Sequence, residues 1–186
     1  VKIETDTGII GWGDAFAFHC RRAVAEAINT MVKPHLIGKN PLDVQQINFV
    51  LQKKLHLFGR YGITIFAISA VDIALWDIVA KHSNLPLCNL LGSVGEKKLP
   101  AYASLWRYED AEAVQDRCQY AKNLGYKYIK LHEVFTSEVK AARNILGDDI
   151  PIMVDTNCPW TKDEARQMLN SWEEYSLYWV EEPINP

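Results

Sequence analysis

From Leu99 onward the hydrophobic and polar positions settle into a repeat. "LPAYASLW" alternates like a strand, and "EDAEAVQDRCQYAKNLG" carries the apolar spacing of an amphipathic helix stopped at Gly125. "YKYIKLH" predicts a second strand, and "TSEVKAARNILG" a helix capped by Thr136 or Ser137 and ended by Gly147. "IPIMVD" is a third strand, "TKDEARQMLNSWEEY" a third helix and "LYWVEE" a fourth strand. Strand starts at Leu99, Tyr126, Pro151 and Leu177 recur about every 26 residues. That period marks βα units laid in parallel. Eight such units close a barrel with the helices outside; four predict half of one. An open, doubly wound parallel sheet is the competing arrangement, weakened because no glycine-rich phosphate loop follows the first strand.

The first half of the chain reads differently. "VKIETDTGIIGWGDAF" predicts a β-hairpin turning at "TDTG", with Gly8 supplying positive φ. Helices follow over Arg22 to Val32 and over Leu42 to Leu55, the latter entered through Asn40 and Pro41. The longest spans Ile63 to Ser83 and is apolar almost all round, so it is expected to be buried on most faces, with Trp76 and its alanines as core. Asp72 and Asp77 within it are expected to be hydrogen-bonded structural carboxylates. Pro86 and Gly92 then break the chain. The division predicted is residues 1–98 as one domain and 99–186 as a second.

Composition changes this picture little. Of 186 residues, 48% are hydrophobic and 23% charged, an ordinary globular mixture able to bury a core. The net charge is −3 with no basic block, so neither nucleic acid nor an anionic membrane is an expected partner. No run is read as reaching the length of a transmembrane helix, and no signal peptide opens the chain. Cys20, Cys88, Cys118 and Cys158 are scattered, with neither zinc-site pairing nor disulfide density. A reduced, cytoplasmic protein is the expectation. The chain opens on a strand already under way and closes just after another, so it reads as a piece of a longer polypeptide.

Chemistry in a parallel α/β protein gathers at the C-terminal strand ends. In "YKYIKLHEVF", Lys130 and His132 share one face of the strand and Leu131 points to the other. Two bases in an apolar strand are costly unless something needs them there. The next strand ends "VDTN", placing Asp155 and Asn157 on a shared face, and the last ends "VEEP", giving Glu181 and Glu182. Each group alone has an ordinary structural role open to it: a cap or solvated charge, a snorkelling lysine, a satisfied core histidine. Glu182 is read that way, or as a partner to a neighbouring strand. Together, carboxylates on adjacent strand ends make an oxygen-rich place for a hard divalent ion such as Mg2+, and a lysine and histidine beside it suit proton transfer.

These residues carry a resemblance to the enolase superfamily, in its mandelate racemase and muconate-lactonizing branch, covering essentially the whole chain. "GIIGWGDA" is similar to the last strand of the family's cap, with Asp14 where a Glu is usual, and "AISAVDIALWDIVAKHSNLPLCNLLG" to the helix and closure that end the cap segment. "IKLH" falls on the Lys-x-Lys position, "VDTN" on the first metal-ligand strand and "VEEP" on the second. The resemblance implies an α+β capping domain, lacking its start, followed by a (β/α) TIM-type barrel of which about the first four βα units are present. It implies Asp155 and Glu181 as Mg2+ ligands, Asn157 beside metal or substrate, Lys130 stabilising an enolate, and His132 in the place where many relatives carry a base lysine. The third ligand and the opposing acid–base groups would belong to strands five to seven. Phe16, Phe18 and His19 fall in a segment resembling the loop that closes over substrate; an ordinary loop with anchoring aromatics is the alternative, and Phe18 and His19 are the candidate substrate contacts. The implied activity is a Mg2+-dependent enzyme that removes the proton α to a carboxylate and stabilises the enediolate. Within it, a sugar-acid dehydratase is preferred over a racemase, epimerase or cycloisomerase, acting as a homo-oligomer on a small-molecule carboxylate. A non-catalytic binding module is the rival from another class.

Overall fold

The computed structural model describes residues 1–95 and 98–186, which fall into two compact units, Val1–Lys97 and Lys98–Pro186. In the first unit, β1 (Lys2–Glu4) and β2 (Ile10–Trp12) pair antiparallel with Ile3 opposite Gly11. The turn between them is closed by the Gly8 N–H donating to the Thr5 carbonyl at 3.0 Å, with Gly8 at φ 82° as the "TDTG" reading requires. Helix α1 (Arg21–Ala27) widens into a π turn over Ile28–Val32 and tightens to a 3-10 turn over Lys33–His35. The sequence predicts one helix to Val32; Pro34, which has no N–H to give to the preceding turn, explains why the regular spacing ends early. Helix α2 runs Val44–Lys54, starting two residues later and ending one earlier than predicted. Pro41 and Leu42 form a turn in which the Asn40 side chain accepts the Leu42 N–H, so Asn40 caps that turn rather than the helix.

Helix α3 (Ile63–His82) is the spine of this unit, and the short α4 (Leu87–Leu90) follows it. It buries Ala67, Ala70, Val71, Ala74, Leu75 and Ile78 almost completely. By length and composition alone it could cross a membrane, which corrects the reading that no run is long enough; half of its most apolar stretch is buried inside the protein. Strand β2 crosses it in backbone contact. A Cβ on Gly11 would lie 2.1 Å from the Ala74 carbonyl oxygen, and one on Gly13 1.8 Å from that of Ala70. Glycines on the strand and alanines on the helix are therefore one packing device. Asp77 and Lys81 finish the seam. The Asp77 carboxylate accepts the Trp12 N–H at 2.8 Å and the Lys81 ammonium at 2.6 Å, and Lys81 also donates to the Ile10 carbonyl. Asp72 accepts from the Asn48 side chain at 2.8 Å. Both carboxylates are structural, as the sequence reading holds.

The second unit alternates β3 (Ala103–Ser104), α5 (Ala111–Asn123), β4 (Ile129–Leu131), α6 (Thr136–Leu146), β5 (Ile152–Asp155), α7 (Lys162–Trp172) and β6 (Trp179–Glu181). The four strands form one parallel sheet in the order β3-β4-β5-β6. Ile129, Leu131, Ile152 and Val154 point to the helix side, packing on Val114, Cys118, Val139, Leu146 and Trp172. The opposite face carries Lys130, Met153 and Trp179 in one row, with Asp155 and Glu181 two residues further on. Helix α5 is capped by Asp110, which accepts the Ala113 N–H, and α7 by a reciprocal box of Thr161 and Glu164. The predicted Thr136 or Ser137 cap of α6 does not form. The helix begins at Thr136 itself; Ser137 donates to Glu138, and the Thr136 hydroxyl accepts from the Trp172 indole. The predicted first strand is also longer than the observed β3, which among the described residues is an edge strand with one partner on which to lay a ladder. Arg143, almost fully buried, donates to the carbonyls of Gly147, Ile150, Tyr175 and Ser176, holding the segments that lead into β5 and β6.

Candidate active site

The parallel register sets the site. Asp155 and Glu181 are Cα partners on adjacent strands, so their side chains leave the same face side by side. Lys130 starts one row lower and reaches up between them. Its ammonium lies 3.1 Å from Asp155 Oδ2 and 2.8 Å from Glu181 Oε1. The Lys130 and Asp155 side chains are each 11% exposed and that of Glu181 38%, so the first pair is nearly desolvated while Glu181 opens toward solvent. Burial draws the Lys130 pKa down, but hydrogen bonds to Glu181 and Asp155 and their negative charge outweigh it and hold the ammonium above the usual lysine range. Burial likewise pushes Asp155 up, and the Lys130 hydrogen bond and Asn157 N–H more than offset it, leaving the carboxyl below its ordinary value. The ring of Tyr102 lies 5.7 Å from the same ammonium.

His132 extends the cluster by one residue. Its Nδ1 hydrogen-bonds the Leu105 carbonyl oxygen, and its Nε2 is 3.4 Å from Asp155 Oδ2. A carbonyl only accepts, so Nδ1 carries the proton and, in the neutral ring, Nε2 keeps the lone pair. Asn157, in left-handed backbone at φ 55°, turns its amide back to Asp155 Oδ1 at 2.7 Å and also donates to Glu182 Oε2 at 3.3 Å. The Glu182 carbonyl accepts from the Thr156 hydroxyl and the Cys158 N–H, tying β6 to β5. The strand-end residues Lys130, His132, Asp155, Asn157 and Glu181 thus converge. Phe18 and His19 lie in the first unit, in the turn before α1, where Phe18 is 71% exposed and its ring stacks edgewise on His19.

Three residues passed over in the sequence complete the surroundings. Arg107 donates to the His132 carbonyl at 2.6 Å, the Thr156 carbonyl at 2.8 Å and the Asn157 side chain at 3.4 Å, clamping the ends of β4 and β5. With Ser104, Leu105, Trp106, His132 and Asn157 it lines a cavity of ≈ 620 Å³. Its position just beyond the first strand is the one signal that could have marked it. Glu133, wholly buried, accepts the Tyr108 and Glu109 N–H groups; burial pushes its carboxyl up, against the pull of those N–H donors. Trp179 donates its indole N–H to Glu181 Oε2 at 2.9 Å. A larger cleft of ≈ 840 Å³ in the first unit, lined by Asn48, Phe49, Asp72 and Trp76 among others, gathers no paired carboxylates.

Two carboxylates in register, already sharing one ammonium, are hard oxygen donors suited to a divalent cation. Among the described residues they supply two such ligands, and no group of three His, Cys, Asp or Glu is placed to hold a metal ion by itself. The remaining coordination of an ion such as Mg2+, which keeps several waters, would come from elsewhere.

Fold and site together define the first half of a (β/α) barrel whose strand ends bring Lys130, Asp155 and Glu181 together. Residues 1–92 match the N-terminal domain of the mandelate racemase / muconate lactonizing enzyme family, and residues 112–186 the enolase C-terminal domain-like family. The chain belongs to the enolase superfamily, in its mandelate racemase and muconate-lactonizing branch. It is 34% identical to an arabinonate dehydratase of Saccharolobus solfataricus over 98% of this chain and 51% of that protein. It is 32% identical to a 3,6-anhydro-alpha-L-galactonate cycloisomerase of Streptomyces coelicolor, over 100% of this chain and 54% of the other. Among solved structures, a racemase from Streptomyces coelicolor A3(2) with bound magnesium superposes with a TM-score of 0.91 at 32% identity, over 100% of this chain and 54% of that one. The chain spans about half the length of the curated relatives it matches.

Proposed function

We propose that the intact polypeptide removes the proton α to the carboxylate of a sugar acid and expels the β-hydroxyl, a dehydratase in the cytoplasm acting as a homo-oligomer. The observation that carries this is the Lys130 ammonium held between Asp155 and Glu181 with His132 Nε2 beside them. Asp155 and Glu181 would hold Mg2+, which when bound supplies positive charge to the substrate carboxylate. His132 receives the α-proton at Nε2, its other nitrogen being committed to the Leu105 carbonyl. Lys130, kept charged by its neighbours, stabilises the negative charge that develops as the C–H bond breaks. Asn157 fixes the orientation of Asp155. The first unit is read as the cap, with Phe18 and His19 as substrate contacts on its exposed turn. The dehydratase reading is supported by the arabinonate dehydratase among the relatives; the same proton removal would serve the cycloisomerase reaction that another relative's name describes.

A panel of aldonic and aldaric acids offered to the intact polypeptide with Mg2+ tests this. Formation of a 2-keto-3-deoxy acid is expected. Product of unchanged composition but altered configuration or ring closure would move the assignment to an isomerase, and no reaction together with no α-proton exchange would favour a binding module.

A further inference from the structure

The two oxygens of each site carboxylate have different partners. Glu181 gives Oε1 to the Lys130 ammonium at 2.8 Å and Oε2 to the Trp179 indole N–H at 2.9 Å. Asp155 does the same: Oδ2 faces Lys130 at 3.1 Å, while Oδ1 accepts the Asn157 amide at 2.7 Å and the Asn157 backbone N–H at 3.2 Å. On each strand a neutral donor two residues away takes one oxygen and leaves the other for the shared cation. The Trp179 ring is itself held, edge-on to Tyr102 at 6.4 Å and tilted against Tyr178 at 5.1 Å. An indole nitrogen can only donate, so this bond has one polarity.

A carboxylate with one oxygen fixed by a hydrogen bond is biased toward binding a metal through the other, because a two-oxygen grip would compete with that bond. Mg2+, small and near-octahedral, accepts such single-oxygen ligands; Ca2+ takes six to eight oxygens and readily grips a carboxylate by both. We propose that Trp179 is a positioning residue that makes Glu181 a one-oxygen ligand and biases the site toward Mg2+ over Ca2+. The inference rests on the reading of Asp155 and Glu181 as metal ligands.

Calorimetric titration of the metal-stripped intact polypeptide with MgCl2 and, separately, CaCl2 tests it. The proteins compared are wild type, Trp179→Phe, Glu181→Gln, and a variant with 3-benzothienylalanine at position 179, which keeps the indole's shape without its N–H. Both changes at 179 are expected to weaken Mg2+ by about tenfold, the usual effect of losing a ligand's outer hydrogen bond, while Ca2+ affinity holds or rises. An unchanged Mg2+ to Ca2+ ratio in the benzothienyl variant overturns the proposal even if Trp179→Phe fails to fold. If Glu181→Gln leaves Mg2+ affinity intact, the metal reading itself is wrong. If that change weakens Mg2+ and the 179 variants leave the ratio unchanged, the role of Trp179 alone is wrong.

Discussion

Lys130 pairs with two carboxylates at once, so the trio keeps a net negative charge that a bound cation would offset. Replacing either carboxylate removes an oxygen donor and the negative charge that would attract a metal, leaving the ammonium paired with the other. Asp155→Asn in the intact polypeptide is expected to weaken Mg2+ by more than the roughly tenfold to hundredfold that loss of an outer partner costs; calorimetry showing wild-type affinity would contradict the ligand assignment. A second expectation concerns the thiols. Burial, and then the negative charge of Glu133, push the Cys118 thiol up to about 12, so it stays protonated at neutral and mildly alkaline pH. Cys20, Cys88 and Cys158 are exposed or half-buried. An aromatic disulfide reagent at pH 8 should titrate those three in the folded protein and Cys118 only after unfolding; rapid reaction of all four would show the core to be open. The facing of Lys130 and His132 was legible because strand alternation needs nothing beyond the sequence. Trp179 was not, since a tryptophan in "LYWVEE" reads as one more apolar strand residue until its indole N–H is seen to donate to Glu181 Oε2. Arg107 and Glu133 serve backbone groups of distant segments, which leave no local pattern.

At the scale of elements, close backbone approach and capping decide what forms. Strand β2 lies on α3 with no room for a side chain at Gly13. Gly13→Ala must displace helix backbone rather than a flexible side chain, and should cost about 3 kcal/mol, the upper end for overpacking. Thermal unfolding with an unchanged midpoint would show that the seam yields. The Asp77 bond to Trp12 fastens the same seam. Asp77→Ala should cost about 1 kcal/mol at neutral pH. The Lys81 hydrogen bond, working against slight burial, holds the Asp77 carboxyl below its ordinary value. A depressed folded pKa gives stability that is present above the unfolded value and lost as pH falls through the folded one. The difference between wild type and Asp77→Ala should therefore shrink in acid; a difference that grows there would reverse the sign. Helix existence and order were readable from apolar spacing. The missing cap of α6 was not, because the Thr136 hydroxyl is taken by Trp172, a residue 36 positions away.

For the molecule as a whole, the strand-helix period predicted a parallel array, and the sheet order β3-β4-β5-β6 follows it. Among the described residues β3 and β6 are each hydrogen-bonded on one side only, and a bare strand edge is a template for another chain. A polypeptide limited to residues 1–186 should therefore associate in solution and show no turnover, as sedimentation and assay would report; a monodisperse, active preparation would contradict the half-barrel reading. The central claim is that one strand-end cluster removes an α-proton, with His132 as the base and Lys130 as a fixed positive charge. Exchange of the α-proton of a sugar-acid substrate with deuterated solvent, followed by NMR in the intact polypeptide with Mg2+, tests it most directly. The account predicts that His132→Asn abolishes exchange while Mg2+ still binds, and that Lys130→Met slows every step. Full exchange in His132→Asn with none in Lys130→Met would contradict it and make lysine the base.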